Sequence, residues 1–220
     1  MTTKHSAIII GVGPGLGLAL ARKFGHELGE VALIARSPAH LAPLLQELKK
    51  AGITAHGFAA DAADLNGLRA TIRQATSAMS PLKALIYNAA AIKPCRAVSL
   101  EPEGFAAELV VDVVAPLAAA QAAAPVLEAN GGGSVLFTGG GFAIYPYADM
   151  AALSAGKAAL RNLTATLAED LEPKGIRTAV VTICGYLAEE GRFAPATVAD
   201  AYWNLHVSPA EDRKPELTYA

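Results

Sequence analysis

Charge is sparse in this sequence. Asp, Glu, Lys and Arg make up 17% of the 220 residues and nearly cancel at −2, with no run of lysine or arginine. The basic stripe with which a nucleic-acid binder neutralises phosphates is therefore missing, and that class is set aside. Cysteine is nearly absent as well: Cys95 and Cys184 lie far apart and in no CxxC or Cys/His cluster. Neither a zinc site nor a disulfide framework is expected, and a reduced, cytoplasmic setting follows. Clean membrane-spanning runs are also lacking. Residues 7–21 follow Lys4 in the manner of a signal peptide, but glycines and Pro14 interrupt them and no convincing cleavage site follows. Residues 109–127 are long enough to span a bilayer yet carry Asp112, Pro116, Gln121 and Pro125, so no membrane segment is expected.

Apolar residues, by contrast, make up 53% of the chain, enough for one good core. No linker divides them, so a single domain over residues 1–220 is expected. Short β-rich runs recur at residues 7–10, 31–35, 54–59, 84–87, 134–137 and 178–183, and the closing "ELTYA" reads as a further short strand. Between them, residues 15–28, 39–51, 65–79, 104–129 and 150–171 have helical spacing. Strand and helix in alternation predict an α/β protein of the Rossmann type: a doubly wound parallel sheet in three layers. Its ligands would lie at the carboxyl ends of the strands. Ser37 before Pro38 is a predicted helix N-cap, as is Asp64.

The stretch "IIIGVGPGLG" is a strand, a glycine-rich turn and a helix start. Gly11, Gly15 and Gly17, with Gly13 and Leu16 in the same turn, allow a tight bend and close approach of backbone to a pyrophosphate. The helix N-terminus adds free N–H groups and partial positive charge. Glycine spaced Gly-x-x-x-Gly-x-Gly resembles the turn of the short-chain dehydrogenase/reductase family, although Ile10 stands where that family usually has threonine. "FAADAAD" is similar to its adenine-contacting segment, which implies Asp61 and Ala62 as cofactor residues. "YNAA" resembles its Asn-Asn-Ala-Gly turn, with Asn88 and Ala89 retained and Tyr87 and Ala90 departing. These matches run from Ala7 to about His206. They imply a nicotinamide cofactor, a small-molecule substrate, and dimers or tetramers built through the helices at 104–129 and 150–171.

At the end of the second strand an acid would hold ribose hydroxyls and repel a further phosphate. "LIARS" has Arg36 and Ser37 instead. A guanidinium and a hydroxyl suit a 2′-phosphate, which favours NADP(H) over NAD(H). Arg36 read as an ordinary solvated charge is the alternative.

The resemblance weakens where the family does its chemistry. Its Tyr-Ser-Ala-Ser-Lys segment matches "LSAGK": Lys157 is kept, but Leu153 replaces the tyrosine. The family's catalytic serine, thirteen residues before the tyrosine, falls on Gly140, and its catalytic asparagine falls on Asp112. Lys157 is expected to retain a cofactor contact, and Lys157 with Asp112 is the remaining candidate catalytic set, the alternative being remnants of a lost one. Pro116 lacks an N–H, so the Asp112 carbonyl is expected to be free inside its helix, and the Asp112 carboxylate to pair directly with the ammonium. Tyr145, Tyr147 and Thr138 are candidate replacements for the missing hydroxyls. Loss of a general acid costs about 10²- to 10⁴-fold, so ordinary ketone reduction should be poor. After the sixth strand come Cys184 and Gly185, the latter expected beside the nicotinamide. Only a short stretch then precedes the last helix, so the substrate lobe is shortened. Tyr202, Trp203 and Phe193 are expected to cover the sheet's apolar edge or to line a partner surface. An oxidoreductase with an altered catalytic set and a non-catalytic cofactor-binding or regulatory module both fit this pattern, as does a purely structural relative.

Overall fold

Runs of Ile, Val, Leu and Ala with few charges become strands buried on both faces, as a central parallel sheet requires. The computed structural model describes residues 4–220. Its strands are β1 (His5–Ile10), β2 (Gly29–Ala35), β3 (Thr54–Ala59), β4 (Leu82–Tyr87), β5 (Gly133–Thr138), β6 (Ile176–Ile183) and β7 (Glu216–Tyr219). All pair in parallel, in the order β3-β2-β1-β4-β5-β6-β7. The chain reverses its direction of growth between β1 and β4, so a crevice opens at the carboxyl ends of those two strands.

The helices are α1 (Leu16–Leu28), α2 (Pro38–Lys50), α3 (Leu65–Ala78), α4 (Pro102–Leu109), α5 (Ala115–Ala129), α6 (Ala151–Leu171) and α7 (Pro195–Val207). Successive strand residues point to opposite faces, so β1 feeds two cores. Ile8 and Ile10 pack with Leu68, Ile72, Ala119 and Leu160 beneath α3, α5 and α6. Ala7 and Ile9 pack with Leu20, Phe24, Leu44 and Tyr202 beneath α1, α2 and α7. These are the three layers expected. Observed strands and helices lie within one or two residues of the expected ends, as fraying and caps allow.

Two local expectations change. Asp64 caps α3, its Oδ1 accepting from Gly67 N at 3.0 Å. Ser37 has the extended backbone of an N-cap, but its hydroxyl makes no capping bond, so Pro38 starts α2 by its fixed φ alone. Residues 104–129 are not one regular helix: Val110–Val114 form a wide turn in which Ala115 N donates to the Val110 carbonyl. Pro116 has no N–H to offer the next carbonyl, that of Val111. Tyr87 supplies the donor instead, its hydroxyl lying 2.6 Å from the Val111 oxygen. The carbonyl that the proline frees is therefore Val111's and not Asp112's as expected, because the wide turn shifts the pairing by one residue, and it is answered from β4.

By length and composition alone, Pro102–Ala129 could cross a membrane. Here its alanines Ala115, Ala119 and Ala123 pack fully buried against α3 and the sheet.

Candidate functional site

The crevice begins at the turn after β1. Gly11 has φ +84, and a Cβ there would lie 2.3 Å from Ala89 N, so no other residue fits without displacing the end of β4. Gly17 packs α1 against the turn, since a Cβ would come within 2.8 Å of Val12 Cα. Around Gly13 and Gly15 the positions of added Cβ atoms meet nothing within 4 Å. No side chain caps α1, and no acid lies in its first turn. Open glycines before an uncapped helix N-terminus, in a tight turn whose shape demands glycine, are a fitting cradle for a pyrophosphate.

Asn88 holds this cradle in place. Its backbone N donates to the Ile10 carbonyl at 2.8 Å and its Nδ2 to the Gly11 carbonyl at 2.9 Å. Its Oδ1 accepts from Thr138 Oγ1 at 2.9 Å, and Thr138 Oγ1 accepts in turn from the Tyr202 hydroxyl at 2.8 Å. Burial pushes the Tyr202 phenol above its ordinary range, which keeps that proton on the ring oxygen. The network ties β1, β4, β5 and α7 together. It corrects two expectations: Thr138 is no stand-in for a missing catalytic hydroxyl, because its proton is committed to Asn88, and Tyr202 is an interior strut. Trp203 does sit edge-on to Phe24, and Phe193 fills the space above Gly185 that a Cβ would occupy.

A cleft of about 650 Å³ runs from the glycine turn to the ends of β5 and β6. Of the expected site residues it gathers Gly11, Gly13, Gly15, Leu16, Gly17, Asn88, Lys157 and Gly185 along its wall. Ala89 lies behind Gly11. Arg36, Ser37, Asp61 and Ala62 stand outside it, at the carboxyl ends of the adjacent strands β2 and β3. Arg36 and Asp61 are exposed, and Asp61 Oδ1 accepts from Ala63 N at 2.9 Å. The far end of the cleft adds Ile92, Phe142, Leu187 and Tyr186, which the sequence reading did not single out. Cys184 also lines it. The available signal was position: Tyr186 follows the sixth strand at the edge where ligands of such sheets bind.

Leu153 and Lys157 are one turn apart on α6, and both face the cleft. Lys157 is 7% exposed and its Nζ donates to the Thr138 carbonyl at 2.7 Å. Burial lowers the basicity of its amine, and the nearby Asp112 charge partly restores it. Asp112 is 1% exposed, and its Oδ1 accepts from Ala91 N at 2.8 Å while Oδ2 has no partner. Burial raises the affinity of Asp112 for a proton. The expected direct ion pair between the two is not formed. The Ala91 N–H holds the carboxylate and the Thr138 carbonyl holds the ammonium, so the groups interact only through space.

Gly140 lies opposite, in extended backbone, with Lys157 Cγ 3.9 Å from where a Cβ would be. No hydroxyl occupies that position, although one would fit. Of the candidate tyrosines, Tyr145 lines the cleft and is 73% exposed. Tyr147 instead stacks on Phe142 at 5.7 Å, over a separate groove beside Arg96 and Val98. Both cysteines are free thiols, and among the described residues no group of three His, Cys, Asp or Glu side chains could hold a metal.

Known proteins match this geometry. An uncharacterized oxidoreductase of Mycobacterium tuberculosis is 31% identical over 169 residues, 76% of this chain and 64% of that protein, so the alignment spans less than two thirds of that relative. A short-chain dehydrogenase structure from Rhodopseudomonas palustris superposes with a TM-score of 0.87 at 27% identity, covering 97% of this chain and 96% of that one. A metagenomic short-chain oxidoreductase solved in complex with NADP superposes with a TM-score of 0.88 at 25% identity, covering 99% and 97%. The family model described as short chain dehydrogenase matches residues 5–191. With its sheet order, its glycine turn and most of its length accounted for in this way, the chain belongs to the short-chain dehydrogenase family of oxidoreductases.

Proposed function

We propose that the chain binds a nicotinamide dinucleotide along the carboxyl edge of its sheet, NADP(H) in preference to NAD(H). It would reduce an apolar substrate that needs no phenolic proton donor, such as a conjugated enone or an imine. The observation that carries this reading is the pairing of a formed glycine cradle with Leu153 in the cleft wall beside Lys157. In this reading the Gly13–Gly17 turn holds the pyrophosphate. Asp61 and Ala62 flank the adenine, and Arg36 with Ser37 grips a 2′-phosphate. Lys157 holds the nicotinamide ribose, and Asn88, Ala89 and Gly185 border the ring. The cofactor, when bound, supplies the hydride; the chain's own residues orient it and exclude water. Arg36 is free to swing onto a phosphate, being exposed at the end of β2.

The second reading, a cofactor-binding regulator without turnover, draws support from Gly140 and Leu153, which leave no hydroxyl at either matched position. Calorimetry separates the readings. Saturable NADPH binding with turnover of an enone or imine supports the first, binding with no turnover in a wide panel the second, and no binding of either nucleotide would sink both. Arg36→Glu should weaken NADPH about tenfold or more and leave NADH nearly unchanged. A cytoplasmic setting and a homodimer or homotetramer built on α5 and α6 complete the proposal. Sedimentation at several concentrations tests the assembly.

A further inference from the structure

Removal of the tyrosine leaves open which group delivers the proton, and the cleft narrows the choice. Its titratable lining consists of Tyr145, Cys184, Tyr186 and Lys157. Tyr145 is 73% and Tyr186 84% exposed, in loops after β5 and β6, where water competes for any proton they hold. The Cys184 thiol is turned back toward the Thr182 carbonyl at 3.7 Å. Lys157 alone among them is more than nine-tenths buried, anchored on a long helix rather than a loop.

Its environment is that of a donor. An ammonium has three N–H bonds, and the Thr138 carbonyl takes one of them. Asp112, facing it from the wide turn before α5, has given Oδ1 to Ala91 N, and Glu108, the next acid behind Asp112, is buried one turn earlier. No carboxylate therefore sits against Nζ to hold its protons. Leu153, one turn before it, presents hydrocarbon to the cleft where a hydroxyl would otherwise stand between amine and substrate. Opposite, Gly140 leaves open space beside the lysine stem.

We propose that Lys157 is itself the general acid of this site, passing a proton from Nζ directly to the substrate's oxygen or nitrogen. The inference rests on the reading of the cleft as a nicotinamide-dependent reductase site. In the balanced step the substrate's electrophilic carbon gains a hydride from the reduced nicotinamide. The substrate heteroatom gains the Lys157 proton, the N–H bond breaks, and the lysine is left as a neutral amine. Water then returns a proton to Nζ. Burial makes the ammonium a stronger acid than an exposed lysine, which brings it closer to the range where proton transfer is effective.

Lys157→Arg is the discriminating variant, because a guanidinium keeps the charge that holds a ribose but does not release a proton. The probes are NADPH with benzylideneacetone as a conjugated enone. With the Arg variant, NADPH affinity should stay within about threefold while turnover at saturating cofactor falls about 100-fold or more. Wild-type turnover should fall as pH rises through the Lys157 titration, and that limb should vanish in the variant. Competitive acetylation of the cofactor-free protein, followed by mass spectrometry across pH, reads Lys157 independently of turnover. Labelling with a midpoint below that of surface lysines supports the proposal. Labelling at the ordinary lysine midpoint, or an Arg variant turning over the enone at the wild-type rate with the same pH limb, overturns it. If NADPH fails to bind the wild type, the reductase reading falls and this proposal falls with it. If NADPH binds and only the lysine behaves ordinarily, the reductase reading stands and this proposal alone is lost.

Discussion

The two ends of the cleft differ in what they are made of. At the β1–β4 end the working parts are backbone: the φ +84 of Gly11, the space above Gly13 and Gly15, and the uncapped start of α1. At the β5–β6 end they are side chains, with an aliphatic Leu153 one turn from Lys157 and no side chain at Gly140. A cradle built from backbone geometry can be lost only by disturbing the fold, whereas a proton donor is lost by one substitution that leaves packing intact. Leu153 illustrates this, being only 7% exposed and seated among cleft residues without disturbing α6.

The strongest attack on this contrast is Gly11→Val. A Cβ 2.3 Å from Ala89 N, on backbone in the left-handed region, should cost about 3–5 kcal/mol and abolish nucleotide binding. Urea melts and calorimetry would register both. If the variant binds NADPH normally, the cradle does not depend on that turn.

Restoring side chains at the other end should leave the cradle untouched. Leu153→Tyr with Gly140→Ser should raise ketone reduction about 10²-fold or more over the parent, measured as NADPH consumption. The serine fits, because only Lys157 Cγ approaches its Cβ position, at 3.9 Å. A double variant that binds NADPH but stays inert toward ketones would show that hydroxyls at these two positions do not suffice.

The opposite edge of the sheet provides a control. His206 on α7 meets Ser134 Oγ at 2.8 Å, and burial, with Arg177 and Lys83 near, pushes its pKa down to about 4. The unfolded chain, titrating near pH 6.5, takes up a proton first as pH falls. Stability from this group is complete above that value, drains away between about pH 6.5 and 4, and changes no further below. The loss should be about 3 kcal/mol, readable as a falling Tm that His206→Asn flattens. NADPH affinity, referred to the folded fraction, should not follow this titration.

The smallest effect is expected from Tyr202→Phe, which removes the hydroxyl behind Thr138 and Asn88. A cost of about 1 kcal/mol and a weakening of NADPH by a few fold would show that α7 supports the cradle. An unchanged affinity would confine that network to stability.

Much of this molecule was legible in the chain because its signals are local. Strand–helix alternation, the glycine spacing of the first turn and the Asp64 cap each depend on residues within a few positions of one another, where stereochemistry dictates the outcome. The leucine one turn before the buried lysine was legible for the same reason, since Leu153 and Lys157 are four apart on one helix. Ser37 was misread because its hydroxyl makes no bond that its backbone position would permit. The helix at 104–129 was read as continuous because Pro116 announces a missing donor but not which partner will answer. The answer, Tyr87, lies 24 residues away.

The sequence by itself determined the doubly wound sheet, the place of the glycine turn and the leucine one turn before Lys157. Periods of two and 3.6 residues, together with the stereochemistry of glycine and proline, act within single elements. Only the tertiary structure decided that Asp112 answers Ala91 rather than Lys157, that Thr138 is held between Asn88 and Tyr202, and that Lys157 is buried against the Thr138 carbonyl. Those contacts join residues 19 to 64 positions apart. Their partners are chosen by which groups the packed sheet and helices bring within reach of one another in a water-poor interior, where each donor must find an acceptor.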